Sequence, residues 1–237
     1  VMELLEGRAL WDEVQEGRFP WRRAARVARH VALGLHAAHE AGIVHRDIKP
    51  ANIIVSQVDG RDHATLVDLG VCKWTPRYYA DLDGRTPPDL RRETRAGTVL
   101  GTPGYMGASQ DDDDAEFRDV FGLGATLFRL VTGRMPYKGE PRPGDVLRWR
   151  AADPELPETL TEALAGALVG SVSERFQSMG EFRGALELAV QELALIAGNA
   201  GKTGKPDTED APVLPAQTPW RSLFLGVGLG IGLGIGV

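Results

Sequence analysis

Three polar side chains suited to phosphoryl transfer occur close together in this sequence. Asp47 and Asn52 belong to the segment HRDIKPAN at residues 45–52, and Asp68 follows Asn52 by sixteen residues. Asp and Asn oxygens are ligands that Mg²⁺ accepts, while a separate Asp can take the proton of an attacking hydroxyl. Lys49, beside Asp47, can neutralise charge on a transferring phosphoryl group. The residue types therefore predict a site for phosphoryl transfer.

Two short strands are predicted to bring Asn52 and Asp68 together. Residues 45–52 read as a loop because Pro50 disfavours a helix there. Apolar runs at residues 53–55 and 64–67 flank the turn dipeptide Asp59-Gly60. A hairpin of these strands would place Asn52 and Asp68 at neighbouring strand ends.

These motifs resemble those of the eukaryotic-type (Hanks-type) protein kinases. The family's catalytic loop is H-R-D-x-x-x-x-N and its metal motif is D-F-G; the latter appears here as D-L-G from Asp68. The resemblance implies that Asp47 is the catalytic base. It also implies that Asn52 and Asp68 hold Mg²⁺, with Mn²⁺ as an alternative, and that ATP is the phosphate donor. Lys49, two residues after Asp47, resembles the serine/threonine branch, whose substrates are proteins carrying Ser or Thr.

The same resemblance assigns residues 1–7 to the end of the small lobe and the hinge. It implies that the backbones of Glu3 and Leu5 bind adenine, that Met2 guards the back of the pocket, and that Ile54 also contacts the nucleotide. Neither a glycine-rich phosphate loop nor the family's nucleotide-binding lysine precedes this hinge. We therefore expect the chain to be a fragment of a longer protein. Since phosphoryl transfer depends on positioning, we expect little activity from the 237 residues alone.

Residues 68–110 correspond to an activation segment in the family resemblance. The stretch is polar, rich in Pro and Arg, and ends near the sequence GTPGYM. Thr102 in that sequence resembles the residue that contacts the catalytic Asp and Lys. Phosphate on Thr94 or Thr98 would pair with Arg46 and order the segment. A homodimer in which one copy phosphorylates the activation segment of the other is one possible route to this modification.

One position departs from the family pattern and keeps other functions open. Ser109 stands where the family has a Glu that forms a buried ion pair with an Arg, here Arg175. We expect one of three outcomes: Arg175 turns to solvent, Glu174 or the acidic run 111–114 replaces the Glu, or the lobe is weakened. This departure favours a pseudokinase or docking module as the alternative function. A small-molecule phosphotransferase is a third hypothesis, against which the Lys49-Pro50 pair and GTPGYM argue.

Apolar periodicity predicts a mainly α fold with short β strands (α+β) over residues 8–197. The family resemblance implies that this fold is the large lobe of a protein kinase. The predicted helices lie at residues 8–18, from Pro20 to about His39, from Asp119 to Gly133, within 144–151, at 158–169 and at 178–197. The resemblance implies that Asp119 binds the backbone of the catalytic loop. His30, His36 and His39 lack the spacing of a metal site and are interpreted as packing or surface residues.

Bulk composition and the C-terminal sequence set the remaining expectations. A net charge of −6 gives no reason to expect nucleic acid binding, and a single cysteine fits a reducing compartment. Residues 198–219 are predicted to be a linker, and residues 220–237 a truncated transmembrane segment, with a flexible glycine-rich tail as the alternative. A single-pass protein of the cytoplasmic membrane, with its kinase lobe on the cytoplasmic side, is therefore predicted.

Overall fold

Helices dominate the described chain, and two small antiparallel sheets lie against them. The structure is a computed structural model that describes residues 5–16, 19–68, 73–74, 102, 104–106, 115–136, 156–169 and 175–200, with backbone only at 73–74, 115 and 193–200. The strands are β1 (Arg8–Ala9), β2 (Ile43–Val44), β3 (Ile53–Val58), β4 (Arg61–Leu66) and β5 (Lys73–Trp74). The helices are α1 (Leu10–Gln15), α2 (Trp21–Glu40), α3 (Ala115–Thr132), α4 (Glu158–Leu168) and α5 (Met179–Ala200).

The β3–β4 hairpin confirms the predicted turn. Ile53 pairs with Leu66 and Val58 pairs with Arg61, so the connection is two residues long. Asp59 and Gly60 have φ values of 52° and 75°, as a type I′ turn requires. Both strands are longer than the apolar runs predicted, because their outer ends are polar and pair next to solvent.

A two-residue strand and a short helix occupy the region predicted to be one helix, residues 8–18. Residues 5–7 are outside any strand; β1 follows them and pairs with β3 on the side opposite β4. Gly7 permits this approach, since a Cβ there would lie 2.7 Å from the carbonyl oxygen of Val55. The predicted helix 8–18 is correspondingly shorter, because β1 takes its first two residues and α1 ends at Gln15.

The long helix α2 begins and ends as predicted. Pro20 caps its N-terminus, where a missing N–H costs nothing. Gly42, with φ of 74°, follows its C-terminus and donates its N–H to the His39 carbonyl at 2.9 Å. The apolar face of α2 is buried in the core; it comprises Ala24, Ala25, Val27, Ala28, Val31, Ala32, Leu35 and Ala38.

Helix α3 is the buried centre of the fold, and its glycines allow close packing. A Cβ at Gly122 would lie 2.9 Å from the Ile48 Cβ, and one at Gly124 would lie 2.7 Å from the Ala167 Cβ. The first contact brings α3 directly beneath the loop at residues 45–52, and the second brings it against α4. The helix ends at Thr132 because Gly133, the predicted end, follows with φ of 70°; it begins at Ala115, before the predicted Asp119.

Helices α4 and α5 complete the core. Helix α4 matches the predicted 158–169 within one residue, while α5 continues to Ala200. The helix therefore extends three residues past its predicted end at residue 197, since a glycine costs a formed helix only about 1 kcal/mol. Residues 144–151 and 201–237 lie outside the described residues, so the remaining linker and the membrane segment stay predictions. None of the helices that the structure describes is both long and apolar enough to cross a bilayer.

Candidate functional site

Residues 45–52, which are predicted to carry the chemistry, form a loop that is held in place at both ends. Strand β2 precedes it and pairs with β5, and a single 3₁₀ turn at Pro50–Asn52 ends it. Lys49 is extended, as a residue before proline prefers. The Asn52 N–H bonds the Lys49 carbonyl at 3.0 Å, which closes the turn. The β2–β5 pairing was not predicted, because two-residue strands leave no periodic signal.

Asp47, Lys49 and Thr102 form a closed triangle of hydrogen bonds. Lys49 Nζ donates to Asp47 Oδ2 at 2.6 Å and to Thr102 Oγ1 at 2.8 Å. Thr102 Oγ1 in turn donates to Asp47 Oδ1 at 2.9 Å. A carboxylate and an ammonium two residues apart are thus brought together with a hydroxyl more than fifty residues further along the chain.

Asn52 joins this triangle to the hairpin. Its Nδ2 donates to the Asp47 carbonyl at 2.8 Å and to Asp47 Oδ2 at 3.2 Å. The Asn52 carbonyl accepts the Val67 N–H at 2.8 Å, so Asp68 comes directly after the residue that faces Asn52. Asp68 has φ of 64°, in the left-handed region that Asp tolerates better than most residues. The structure therefore places Asn52 and Asp68 at neighbouring strand ends.

The environment of Asp47 favours its ionised form. Burial raises the pKa of this carboxyl, but hydrogen bonds from Lys49 and Thr102, together with the Lys49 charge, outweigh burial and lower the pKa below its usual value. Asp47 is therefore a carboxylate at neutral pH and can accept a proton.

A second, fully buried carboxylate holds the loop from below. Asp119 on α3 accepts the His45 N–H at 2.8 Å and the Arg46 N–H at 2.6 Å. Its Oδ2 also lies 2.8 Å from His39 Nε2. Arg46 has φ of 73°, a conformation that costs a non-glycine residue about 1–2 kcal/mol. The two bonds to Asp119 stabilise this backbone, as expected for that residue.

His39 and His45 are buried structural residues of the site. His39 is 4% exposed and contacts Asp119 from the end of α2. Sequence reasoning identified it only as a packing or surface histidine; its place on the apolar face of α2 was the available signal. His45 is 1% exposed, and its Nε2 lies 3.3 Å from the Val67 carbonyl oxygen, directly before Asp68.

Arg175 is buried, so the expectation that it turns toward solvent is wrong. It is 8% exposed, and its guanidinium carbon lies 3.8 Å from the centroid of the Phe117 ring. Stacking on an aromatic face lets a weakly hydrated guanidinium remain inside the fold. Ser109, Glu174 and residues 111–114 lie outside the described residues.

Other predicted site residues lie at the N-terminal edge or outside the described chain. Leu5 is a half-buried residue before β1, and Ile54 is a half-buried residue of β3 whose register partner is Ala9. Glu3 lies outside the described residues, as do Met2, Thr94 and Thr98. The structure therefore gives no geometry for the proposed hinge contact of Glu3.

The donor set of Asn52 and Asp68 fits a magnesium ion. Both nitrogen-donated bonds of Asn52 point to Asp47, which leaves its side-chain oxygen as an available acceptor. Together with the Asp68 carboxylate, this supplies hard oxygen ligands. Magnesium bound by proteins commonly takes one or two such ligands and fills its other positions with phosphate oxygens and water.

Comparison with known proteins finds kinases. The family model described as "Protein kinase domain" matches residues 1–172. The serine/threonine-protein kinase pkn2 of Myxococcus xanthus is 30% identical over 218 residues, covering 85% of this chain and 24% of the relative. Serine/threonine-protein kinase C of Synechocystis is 30% identical over 233 residues, covering 94% and 42%. Serine/threonine-protein kinase PknL of Mycobacterium tuberculosis is 32% identical over 206 residues, covering 82% and 48%.

The chain thus spans between about a quarter and a half of the length of these relatives. Among solved structures, the crystal structure of the Rad53 kinase domain and SCD2 in complex with AMPPNP superposes with a TM-score of 0.55 at 16% identity, covering 82% of this chain and 77% of that one. At that identity the likeness concerns the fold alone, which is mostly helical with short strands.

Proposed function

This chain belongs to the protein kinase family, and on that premise we propose that its full-length protein is a serine/threonine protein kinase that transfers the γ-phosphate of ATP to protein substrates. The observation that carries the proposal is the triangle of Asp47, Lys49 and Thr102. It combines a carboxylate with a lowered pKa, a cation and a positioning hydroxyl, and each pair of these groups is joined by a hydrogen bond shorter than 3 Å.

The substrate hydroxyl has a defined place to bind on Asp47. Each carboxylate oxygen accepts about two hydrogen bonds. Oδ1 receives the Thr102 hydroxyl and, at 3.2 Å, the Thr102 N–H; Oδ2 receives Lys49 and, at 3.2 Å, Asn52 Nδ2. The incoming hydroxyl therefore replaces one of the two longer bonds. Asp47 then orients that hydroxyl and accepts its proton as the oxygen attacks.

Lys49 and Thr102 have separate roles in this proposal. Lys49 Nζ uses two of its three protons on Asp47 and Thr102, and the third is directed to an oxygen of the transferring phosphoryl group. Its charge offsets the charge that builds up there. Thr102 keeps the carboxylate and the ammonium aligned. Asn52 and Asp68 would hold Mg²⁺ or Mn²⁺, which neutralises the phosphates of ATP.

A non-catalytic docking role is the second candidate, and one observation favours it. Ser109 replaces the acidic residue expected opposite Arg175, and Arg175 stacks on Phe117 inside the fold. A fold in which the Phe117 ring holds the buried Arg175 guanidinium can remain stable, and can act as a docking module, without catalysing phosphate transfer. The two candidates differ in one property, which is phosphate transfer to Ser or Thr.

The experiment uses the full-length protein with ATP, Mg²⁺ and a mixture of protein substrates, and detects phosphoserine and phosphothreonine. Asp68→Asn is the test variant, and Asp59→Asn is a matched control. Both residues are Asp with positive φ, 64° and 52°, a conformation that Asn also adopts. We expect transfer by the wild type and the Asp59→Asn protein, and a strong loss in Asp68→Asn. ATP binding without transfer in all three proteins would instead support the docking role.

A further inference from the structure

Arg129 presents a cation close to the proposed phosphate-transfer site. It lies in the last turn of α3, and its Nη1 donates to the Tyr105 hydroxyl at 3.2 Å. The Tyr105 N–H bonds the Thr102 carbonyl at 3.1 Å, and Thr102 contacts Asp47. This series of contacts spans no more than an extended peptide of about six residues. A substrate chain whose Ser or Thr lies at Asp47 therefore has neighbouring residues within reach of Arg129.

The described surroundings of Arg129 are neutral. Its guanidinium carbon lies 4.5 Å from the centroid of the Trp11 ring, and its Nη1 lies 3.5 Å from the Met135 sulfur. Burial raises the pKa of Tyr105, so its hydroxyl keeps its proton at neutral pH and supplies no negative charge. Within the described part of the chain, no carboxylate forms an ion pair with Arg129. A half-buried guanidinium in neutral surroundings gains free energy when an anion binds it.

The arrangement also leaves hydrogen-bonding capacity for a ligand. Both polar contacts of Arg129 use Nη1. Nη2 has no hydrogen-bond partner among the described residues, Nε is buried there without one, and the side chain as a whole is only half-buried. Trp11, 36% exposed, covers one face of the guanidinium and fixes its plane. A planar cation held in this way suits a carboxylate.

We infer that Arg129, held by Trp11 and Tyr105, binds an acidic side chain of the substrate within about six residues of the phosphorylated Ser or Thr. The inference rests on the proposed function for its site and adds a substrate class, namely protein segments with Asp or Glu near the acceptor. The net charge of −6 does not oppose this, because charges beyond a Debye length of about 8 Å are screened in physiological salt.

The test measures kcat/KM of the full-length protein on peptides with one central Ser. Glu is placed in turn at each of six positions on either side, and each peptide is compared with its Gln counterpart. We expect the wild type to prefer Glu about 10-fold at one position, the size of one charge-assisted hydrogen bond. In Arg129→Gln this ratio falls below about twofold, in Arg129→Lys part of it returns, and in Arg129→Glu a Lys peptide is preferred.

The control is Arg134→Gln, which removes an equal charge from an exposed residue just beyond α3 and should keep the wild-type ratio. Because each ratio is taken within one variant, a loss of folded protein does not change it. A Glu-to-Gln ratio near one throughout the wild-type scan, or an unchanged ratio in Arg129→Gln, would overturn the inference.

Peptide binding measured by fluorescence anisotropy separates this inference from the proposed function. Transfer without acidic preference refutes the inference and leaves the kinase proposal standing. Charge-selective binding that depends on Arg129, with no transfer to any peptide, would show a site for acidic peptides but would refute the kinase proposal and, with it, the assignment of that site to a kinase substrate. Absence of both transfer and binding overturns both.

Discussion

Two clusters of charged side chains in this fold differ in how many of their hydrogen bonds remain exchangeable. In the first, Lys49 and Thr102 surround Asp47. In the second, Arg23 on α2 donates Nε and Nη2 to the Asp62 carboxylate at 2.7 and 2.9 Å, and donates Nη1 to Glu13. The second cluster ties α1, α2 and β4 together.

This difference distinguishes a structural cluster, formed by Arg23 with Asp62 and Glu13, from a chemical cluster, formed by Asp47 with Lys49 and Thr102. Arg23 is forked between two carboxylates, and its hydrogen bonds, first of all the one to Asp62, raise the pKa of Arg23 further. A side chain that is always charged and has donors in fixed directions is well suited to holding α1, α2 and β4 together. Lys49 instead keeps a spare proton, and two of the bonds on Asp47 are long enough to be exchanged for bonds to a substrate.

The largest effect should follow from removing the cation of the chemical cluster. We expect Lys49→Met to lower the phosphate-transfer rate of the full-length protein about 100- to 1000-fold, the usual cost of losing one charge-stabilising donor. The free energy of unfolding should change by less than about 1 kcal/mol, since Lys49 is partly exposed. The transfer rate is measured by phosphate-transfer assay and the free energy of unfolding by denaturant unfolding. If the loss of folded protein accounts for the whole loss of rate, the two clusters do not differ in the way described.

The support beneath the chemical cluster should matter nearly as much. Asp119→Asn replaces one acceptor oxygen with a donor, which would face the N–H group of either His45 or Arg46. Because breaking a buried, charged network typically costs about 3 kcal/mol or more, we expect a loss of that size in the free energy of unfolding. Asp59→Asn in the exposed turn is the control. A change in Asp119→Asn no larger than that of the control would show that Asp119 does not hold the loop.

As pH falls, protonation should destabilise the region around the structural cluster at a higher pH than it affects Asp47. Burial, with the nearby charges of His63 and Arg29, lowers the pKa of His30 from 6.5 to about 4. The unfolded chain therefore binds more protons between these values, so stability falls as pH drops through this window. From about pH 7.5 to about pH 5 the loss should be about 2 kcal/mol.

This pH-dependent loss should shrink in His30→Gln, and an undiminished loss would assign the effect to other groups. The lowered pKa of Asp47 acts in the same direction as that of His30, but at lower pH. Its contribution is present above the ordinary Asp pKa of 3.8 and is lost only as pH falls through the lower folded value. Denaturant unfolding across this pH range separates the two groups.

The smallest effect should come from the structural cluster itself. Arg23→Met removes charged hydrogen bonds to Asp62 and Glu13, and we expect it to lower the free energy of unfolding by about 1.5 kcal/mol. The transfer rate per folded molecule should stay within about twofold of the wild type. Active-site titration corrects the rate for unfolded protein. A rate loss as large as that of Lys49→Met would mean that the hairpin position, set by Arg23, controls the chemistry.

Local patterns in the sequence predicted much of the architecture. The turn at Asp59-Gly60, the helix from Pro20 to Gly42 and the proximity of Asn52 and Asp68 all follow from signals within about 20 residues of chain. Resemblance to a family added Thr102 and Asp119, whose partners are far away in sequence.

Other contacts could not be predicted because they depend on tertiary packing. His39 meets Asp119 across 80 residues of chain, and Arg23 meets Asp62 across 39. Arg129 meets Tyr105 only because α3 passes beneath the segment that carries Thr102. No periodicity marks such pairs, since each needs only one polar residue on an otherwise ordinary helix face.

The most direct test compares Asp47→Asn with Asp59→Asn in the full-length protein, each assayed for phosphate transfer from ATP to Ser or Thr. The substitutions are chemically identical, but only Asp47 lies in the triangle with Lys49 and Thr102. We predict that Asp47→Asn lowers the rate at least about 100-fold, the usual contribution of a general base, while Asp59→Asn retains the wild-type rate. Equal rates in the two variants would contradict the assignment of Asp47 as the catalytic base.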